Sequence, residues 1–184
     1  MSELIAGTVR RPMVYESLLN NPRPVPDFKI AVEHRFEGSG MRAPLGVPDF
    51  RNASEAYLKD QTSLPPPLAE DVGLAITELH TNGIIHSKGG VLAATLGYTG
   101  PVANPSRLVI KVEDSTLSDK RPLSADVEVM IEERDLMAEL SDGERGLPLV
   151  QSLGFRLGYT ATSPHTAIMW AEMDVREALS TTLK

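Results

Sequence analysis

Cysteine is missing altogether from the 184 residues. That excludes a disulfide scaffold and every thiolate metal centre, and it fits a reducing compartment. No apolar run approaches the roughly 20 residues that a membrane-spanning helix needs, so a cytoplasmic protein is expected. The first residues also lack the order of a signal peptide: Glu3 comes early, and Arg10 and Arg11 follow the short apolar patch. Positive charge is in short supply. With 18 Lys and Arg against 25 Asp and Glu, the formal net charge is -7, which argues against direct binding to nucleic acid. Two familiar signatures are absent as well: there is neither a Gly-x-Ser-x-Gly elbow nor a phosphate-cradling Gly-x4-Gly-Lys run.

What is present is an ordinary globular composition, 41% hydrophobic and 23% charged, enough for one domain with a substantial core. Residues 1–27 read as an arm, because Pro12, Pro22, Pro24 and Pro26 favour extended, solvated backbone. Within it, Leu18 and Leu19 offer a short turn that docks on the domain or on a second subunit. From Phe28 to Phe36 the period becomes two, with Phe28, Ile30, Val32, His34 and Phe36 on one face of a predicted strand. A helix is expected from Asp49 to about Ser63, with Phe50, Ala53, Ala56, Tyr57 and Leu64 inward. Pro65-Pro66-Pro67 then separates it from a second helix starting near Asp71. Strands are expected at 91–98, 107–113, 156–162 and 166–173, with a helix opening at Gly143-Glu-Arg-Gly146 and a short helix near the C-terminus. This order predicts an α+β fold, a two-layer sandwich with helices on one face of a mainly antiparallel sheet.

Three constellations carry possible chemistry. Glu78, Asn82 and His86 fall four residues apart, so on a helix they make one polar stripe opposite Val72, Ala75, Ile76, Leu79 and Gly83. A carboxylate and a carboxamide one turn apart suit a hydroxyl proton beside a hydrated magnesium ion, which takes few protein ligands. Asp114 ends an apolar strand and is placed to accept a hydrogen bond from a base amino group, or to cap the next turn. The glycines at 143 and 146 permit close backbone approach at a loop-to-helix junction whose amides suit phosphate oxygens. Each has a plainer reading beside the chemical one: a wet helix face, a turn cap, a common junction.

Other patterns are set aside. Gly38-Ser-Gly40-Met-Arg-Ala43 has the spacing of a dinucleotide fingerprint, but Pro44 and Pro48 argue against the helix it must open. His80 and His86 stand six apart, which points them in different directions and disfavours a shared zinc. The acidic stretch after Asp114 lacks the ligand alternation and central glycine of a calcium loop.

Taken together and in order, the three constellations resemble the N, G1 and G2 boxes of the GHKL superfamily, the ATP-binding fold shared by DNA gyrase, histidine kinases and the MutL repair protein. The run from Asp71 to Ser87 looks like the N-box helix, and the run from Arg145 to Gly158 looks like the G2 box and its helix. The Trp170-Ala-Glu172 segment matches the final strand. The nearest likeness is to the small anti-sigma-factor serine/threonine kinases of bacteria, especially actinobacterial ones. That resemblance implies a Bergerat-type ATP-binding domain at 28–176, with a lid at about 115–142 and a C-terminal tail at 177–184. It implies ATP and Mg2+ as cofactors, Asn82 as the magnesium ligand, Glu78 as the catalytic base and Asp114 at the adenine. Gly143, Arg145, Gly146 and Leu147 would lie at the phosphates. A sigma factor and a STAS-type antagonist would be the partners, with homodimerisation in keeping with the family, and the role would be transcription regulation. The chain departs from the pattern in two places: Asp114-Ser-Thr116 lacks the G1 glycine, and Glu144 stands inside the G2 box. Those departures motivate the alternative, a catalytically inactive GHKL-fold module that regulates a partner by sequestration. A detached histidine-kinase catalytic domain would need a dimerisation helix bearing a phospho-accepting histidine, which the proline-broken arm does not supply.

Overall fold

The computed structural model describes residues 23–36, 43–86, 91–115, 146–163 and 166–182. The elements run β1 (Lys29–Arg35), α1 (Ala43–Gln61), α2 (Pro66–His86), β2 (Val91–Thr99), β3 (Arg107–Ser115), α3 (Gly146–Ser152), β4 (Phe155–Ser163), β5 (Thr166–Asp174) and α4 (Val175–Thr182). The strands form one five-stranded sheet in the order β1-β2-β3-β5-β4, and every neighbouring pair is antiparallel. The fold is α+β, as the order of elements led one to expect. Among the described residues no helix is long and apolar enough to cross a membrane.

The inner face of the sheet, lined by Leu96, Ile110, Val112, Leu157, Met169 and Ala171, shares one core with Phe50 and Leu58 of α1, Ile76 and Leu79 of α2, and Leu147 and Val150 of α3. Helix α2 is the centre of this layer. Val72, Ala75, Ile76 and Leu79 are all fully buried and Gly83 is buried too, so the predicted apolar stripe is the one the sheet covers. Gly83 brings the helix down on the sheet, for an ideal Cβ there would stand 2.9 Å from Val91 Cγ2 and 3.0 Å from Val112 Cγ1. Gly83→Leu is therefore expected to cost about 1–3 kcal/mol through overpacking. A urea midpoint at or above the parent's would show that the helix is not seated so closely.

Three expectations need correction. Pro66 and Pro67 open α2 instead of separating the helices, because the first turn loses no hydrogen bond when an N–H is missing. Helix α1 begins at Ala43, not Asp49, with Pro44 in its first turn and Pro48 inside it. The prolines thus did not prevent a helix after Gly38–Ala43. The dinucleotide reading fails for another reason, since among the described residues β1 pairs only antiparallel with β2 and no parallel βαβ unit follows. Within α1, Ala53 and Ala56 are exposed while Ser54 and Leu58 are buried. The stripe follows Phe50 at i+4 and i+8, and a serine holds one of its positions.

The third correction concerns β1. Ile30 pairs with Gly97 and Val32 with Leu96, so Ala31 forms a bulge. One extra residue reverses the side-chain alternation. Val32 and Phe36 consequently pack toward the helices, whereas Phe28 lies over Gly97 on the outer face and Ile30 is left exposed.

That outer face is crossed by the chain itself. The Arg23 N–H donates to the Tyr159 carbonyl at 2.7 Å, and the Arg23 carbonyl accepts from Trp170 Nε1 at 3.4 Å and from the Thr160 hydroxyl. Five residues later Phe28 reaches β2, so the end of the predicted arm straps the sheet from β4 to β2. Beside it, Glu172 is buried and accepts from Arg107 at 2.9 Å and Arg156 at 3.2 Å.

Candidate functional site

Glu78 and Asn82 are one turn apart on α2. Asn82 is only 8% exposed, which contradicts a merely wet helix face. Its Nδ2 donates to the Glu78 backbone carbonyl at 2.9 Å. A carbonyl oxygen can only accept, so this bond fixes which way round the amide sits. The Asn82 Oδ1 is thereby the atom left to face a cation, a hard oxygen of the kind magnesium takes. An aspartate there would set acceptor against acceptor. Glu78 is half-buried, and burial holds its carboxyl above the usual value of 4.5, which makes the ionised side chain a stronger proton acceptor.

Gly146, the first residue of α3, meets this pair from a distant part of the chain. An ideal Cβ at Gly146 would stand 3.3 Å from Asn82 Nδ2 and 3.4 Å from Glu78 Cδ, and nearer still to Glu78 Oε2. Leu147, Pro148 and Val150 anchor α3 in the core. The Leu147 side chain therefore points away from the polar pair, and only its backbone is a candidate for contact with a ligand.

Asp114 lies near the end of β3 and is 2% exposed. It stands opposite Val91 on one side and Ala167 on the other. Strand alternation puts it on the inner face with Ile110 and Val112, and Gly83 packs on Val91 and Val112. Asp114 thus lies at the same end of the sheet as the last turns of α2, where Asn82 is. Of the expected site residues, Glu78, Asn82 and Gly146 come together, and Asp114 lies on β3 at the same end of the sheet. Gly143, Glu144 and Arg145 fall outside the described residues, as do residues 116–142 of the expected lid and the His86 side chain. Among the described residues no three or more His, Cys, Asp or Glu stand close enough to hold a metal ion. A cation beside Asn82 would need its other ligands from water or from a bound anion.

One core residue of this helix was not singled out from the sequence. His80 is fully buried, edge-on to Phe36 at 5.0 Å and to Phe50 at 6.4 Å. Neither ring nitrogen has a hydrogen-bond partner among the described residues. Burial, with a smaller contribution from His34, lowers its pKa from 6.5 to about 4. The signal was present: position 80 is four past Ile76 and eight past Val72, which is the inward arc.

No family model matches the chain, and no curated protein matches it. Solved structures do. One is the histidine kinase domain from the Erythrobacter litoralis EL346 blue-light activated histidine kinase. It is 16% identical over 89% of this chain and 71% of that one, with a TM-score of 0.41. Another is the Erythrobacter litoralis EL346 blue-light activated histidine kinase, 24% identical over 66% of this chain, with a TM-score of 0.38. This chain spans 35% of that second protein's length.

Proposed function

We propose that this chain binds Mg-ATP between α2, the end of β3 and the start of α3, and acts as a regulatory serine/threonine protein kinase of the anti-sigma type. The observation that carries the reading is the contact of Gly146 with Glu78 and Asn82, which unites the expected phosphate, base and metal positions at one place. When bound, Mg-ATP supplies the phosphoryl group together with the charge of the metal that steadies it. The chain's own work is positioning. Asn82 presents Oδ1 to the cation because its Nδ2 is tied to the Glu78 carbonyl. Glu78 takes the proton of the attacking hydroxyl. The buried carboxylate of Asp114 accepts from the adenine amino group, and the backbone at Gly146 and Leu147 lies along the phosphates with Gly143 and Arg145. The partners proposed are a sigma factor, held by sequestration, and a STAS-type antagonist that receives the phosphoryl group.

Calorimetry with ATP and magnesium tests the pocket. The parent should bind, and Asp114→Asn should bind roughly 10–100-fold more weakly, the loss of one hydrogen bond to a charged group. If the variant binds as tightly as the parent, the adenine position is wrong. If the parent gives no heat at millimolar ATP, the whole reading is.

A further inference from the structure

Gly100 and Gly154 are the described glycines with positive φ. At Gly146 the structure shows a demand for space, since an ideal Cβ there would meet the Glu78 carboxylate and the Asn82 amide. The other closely packed glycines face hydrocarbon, an aromatic ring, a hydroxyl or an ion pair: Gly83 meets two valines, Gly46 meets Phe36, Gly97 meets Phe28, Gly158 meets Trp170, Gly100 meets Ser106 and Gly73 meets Glu55 with Arg51. Gly146 alone among them has its missing side chain aimed at the Glu78 carboxylate and the Asn82 amide. Leu147, Pro148 and Val150 are buried just behind it, so the start of α3 cannot retreat without lifting them from the core. Asn82 cannot move aside without releasing the Glu78 carbonyl.

We propose that Gly146 is the positioning residue for Glu78: the bare Cα at the start of α3 forms one wall of the slot in which the carboxylate sits, and any side chain there pushes it off line. This rests on the reading of Glu78 as the base. Even one methyl group would stand closer to Oε2 than real side chains approach, and it would lie 3.3 Å from the Asn82 amide as well. The carboxylate must then swing, and a displacement of about 1 Å at a reacting group can cost roughly 100-fold in rate.

Four proteins decide it: the parent, Gly146→Ala, Glu78→Ala and the double variant, each assayed for turnover of radiolabelled Mg-ATP and for thermal stability. Gly146→Ala in the parent should lower turnover roughly 100-fold and lower the Tm. In the Glu78→Ala background the same change should lower turnover by far less than 100-fold and cost little stability, because the group it strikes is gone. If Gly146→Ala lowers both quantities by the same factor in either background, it acts on the fold and the positioning role is overturned. Should Gly146→Ala alone fail to fold, the double variant must fold; if it does not, the proposal also fails. A parent that binds no Mg-ATP by calorimetry overturns the nucleotide reading itself, an outcome distinct from additivity in the cycle.

Discussion

Glu78→Gln is expected to keep the parent's affinity for Mg-ATP while its phosphoryl transfer falls by about 10²–10⁴-fold, the usual worth of a positioned general base. The carboxamide matches the carboxylate in shape, so the wall at Gly146 and the bond from Asn82 to the Glu78 carbonyl should both survive. What disappears is the ability to accept a proton. Burial raises the proton affinity of Glu78 without closing it off, since the side chain stays half-exposed. Rapid-quench measurement of phosphoryl transfer from saturating Mg-ATP to a STAS-type antagonist isolates the chemical step from binding. Turnover within a few-fold of the parent's would remove Glu78 from the reaction. Weakened binding with an unchanged rate would instead make it part of the metal or phosphate site.

The second large effect concerns stability against pH. His80 binds a proton near its ordinary 6.5 in the unfolded chain but only at about 4 in the folded one. Above 6.5 both states are neutral at this residue and it contributes no pH dependence. As pH falls between those values the unfolded state takes up the proton and the folded state does not, so stability drops with falling pH. Over the whole window the loss approaches roughly 3 kcal/mol, at about 1.4 kcal/mol per pKa unit. Glu78 and Asp71 act in the opposite sense. Burial raises both carboxyls, so their contribution to folding grows as pH falls and is lost as pH rises through their folded-state values. His80→Leu separates these terms. Urea unfolding of the two proteins between pH 7.5 and 4.5 should show the parent losing stability relative to the variant on acidification. Parallel curves would mean that His80 is protonated in the fold or reaches water there.

Much of α2 was legible before any coordinates. Val72, Ala75, Ile76, Leu79 and Gly83 recur at helical spacing, and all five are buried. The four later strands lie within a residue or two of where alternation placed them. Helix α1 was less legible because its stripe includes Ser54, which hydropathy counts as outward, while Ala53 and Ala56 suit either side of a helix surface. His80 was hidden for the same reason, as its polarity outweighed its position. The alternation of β1 ran unbroken through Ala31, and nothing in that run marks a bulge. A bulge answers to the register of the neighbouring strand, which is a property of two segments and not of one.

The candidate site divides along the same line. Periodicity alone determined that Glu78 and Asn82 share a helix face one turn apart, since that follows from local backbone geometry. That Asn82 is buried, that its amide is turned by the Glu78 carbonyl and that Gly146 closes on the carboxylate were decided by tertiary structure alone. Those facts depend on how far α3 is drawn in by Leu147, Pro148 and Val150 and how deeply Gly83 lets α2 settle on the sheet. Close packing between segments far apart in the chain sets such distances, and no local pattern encodes them.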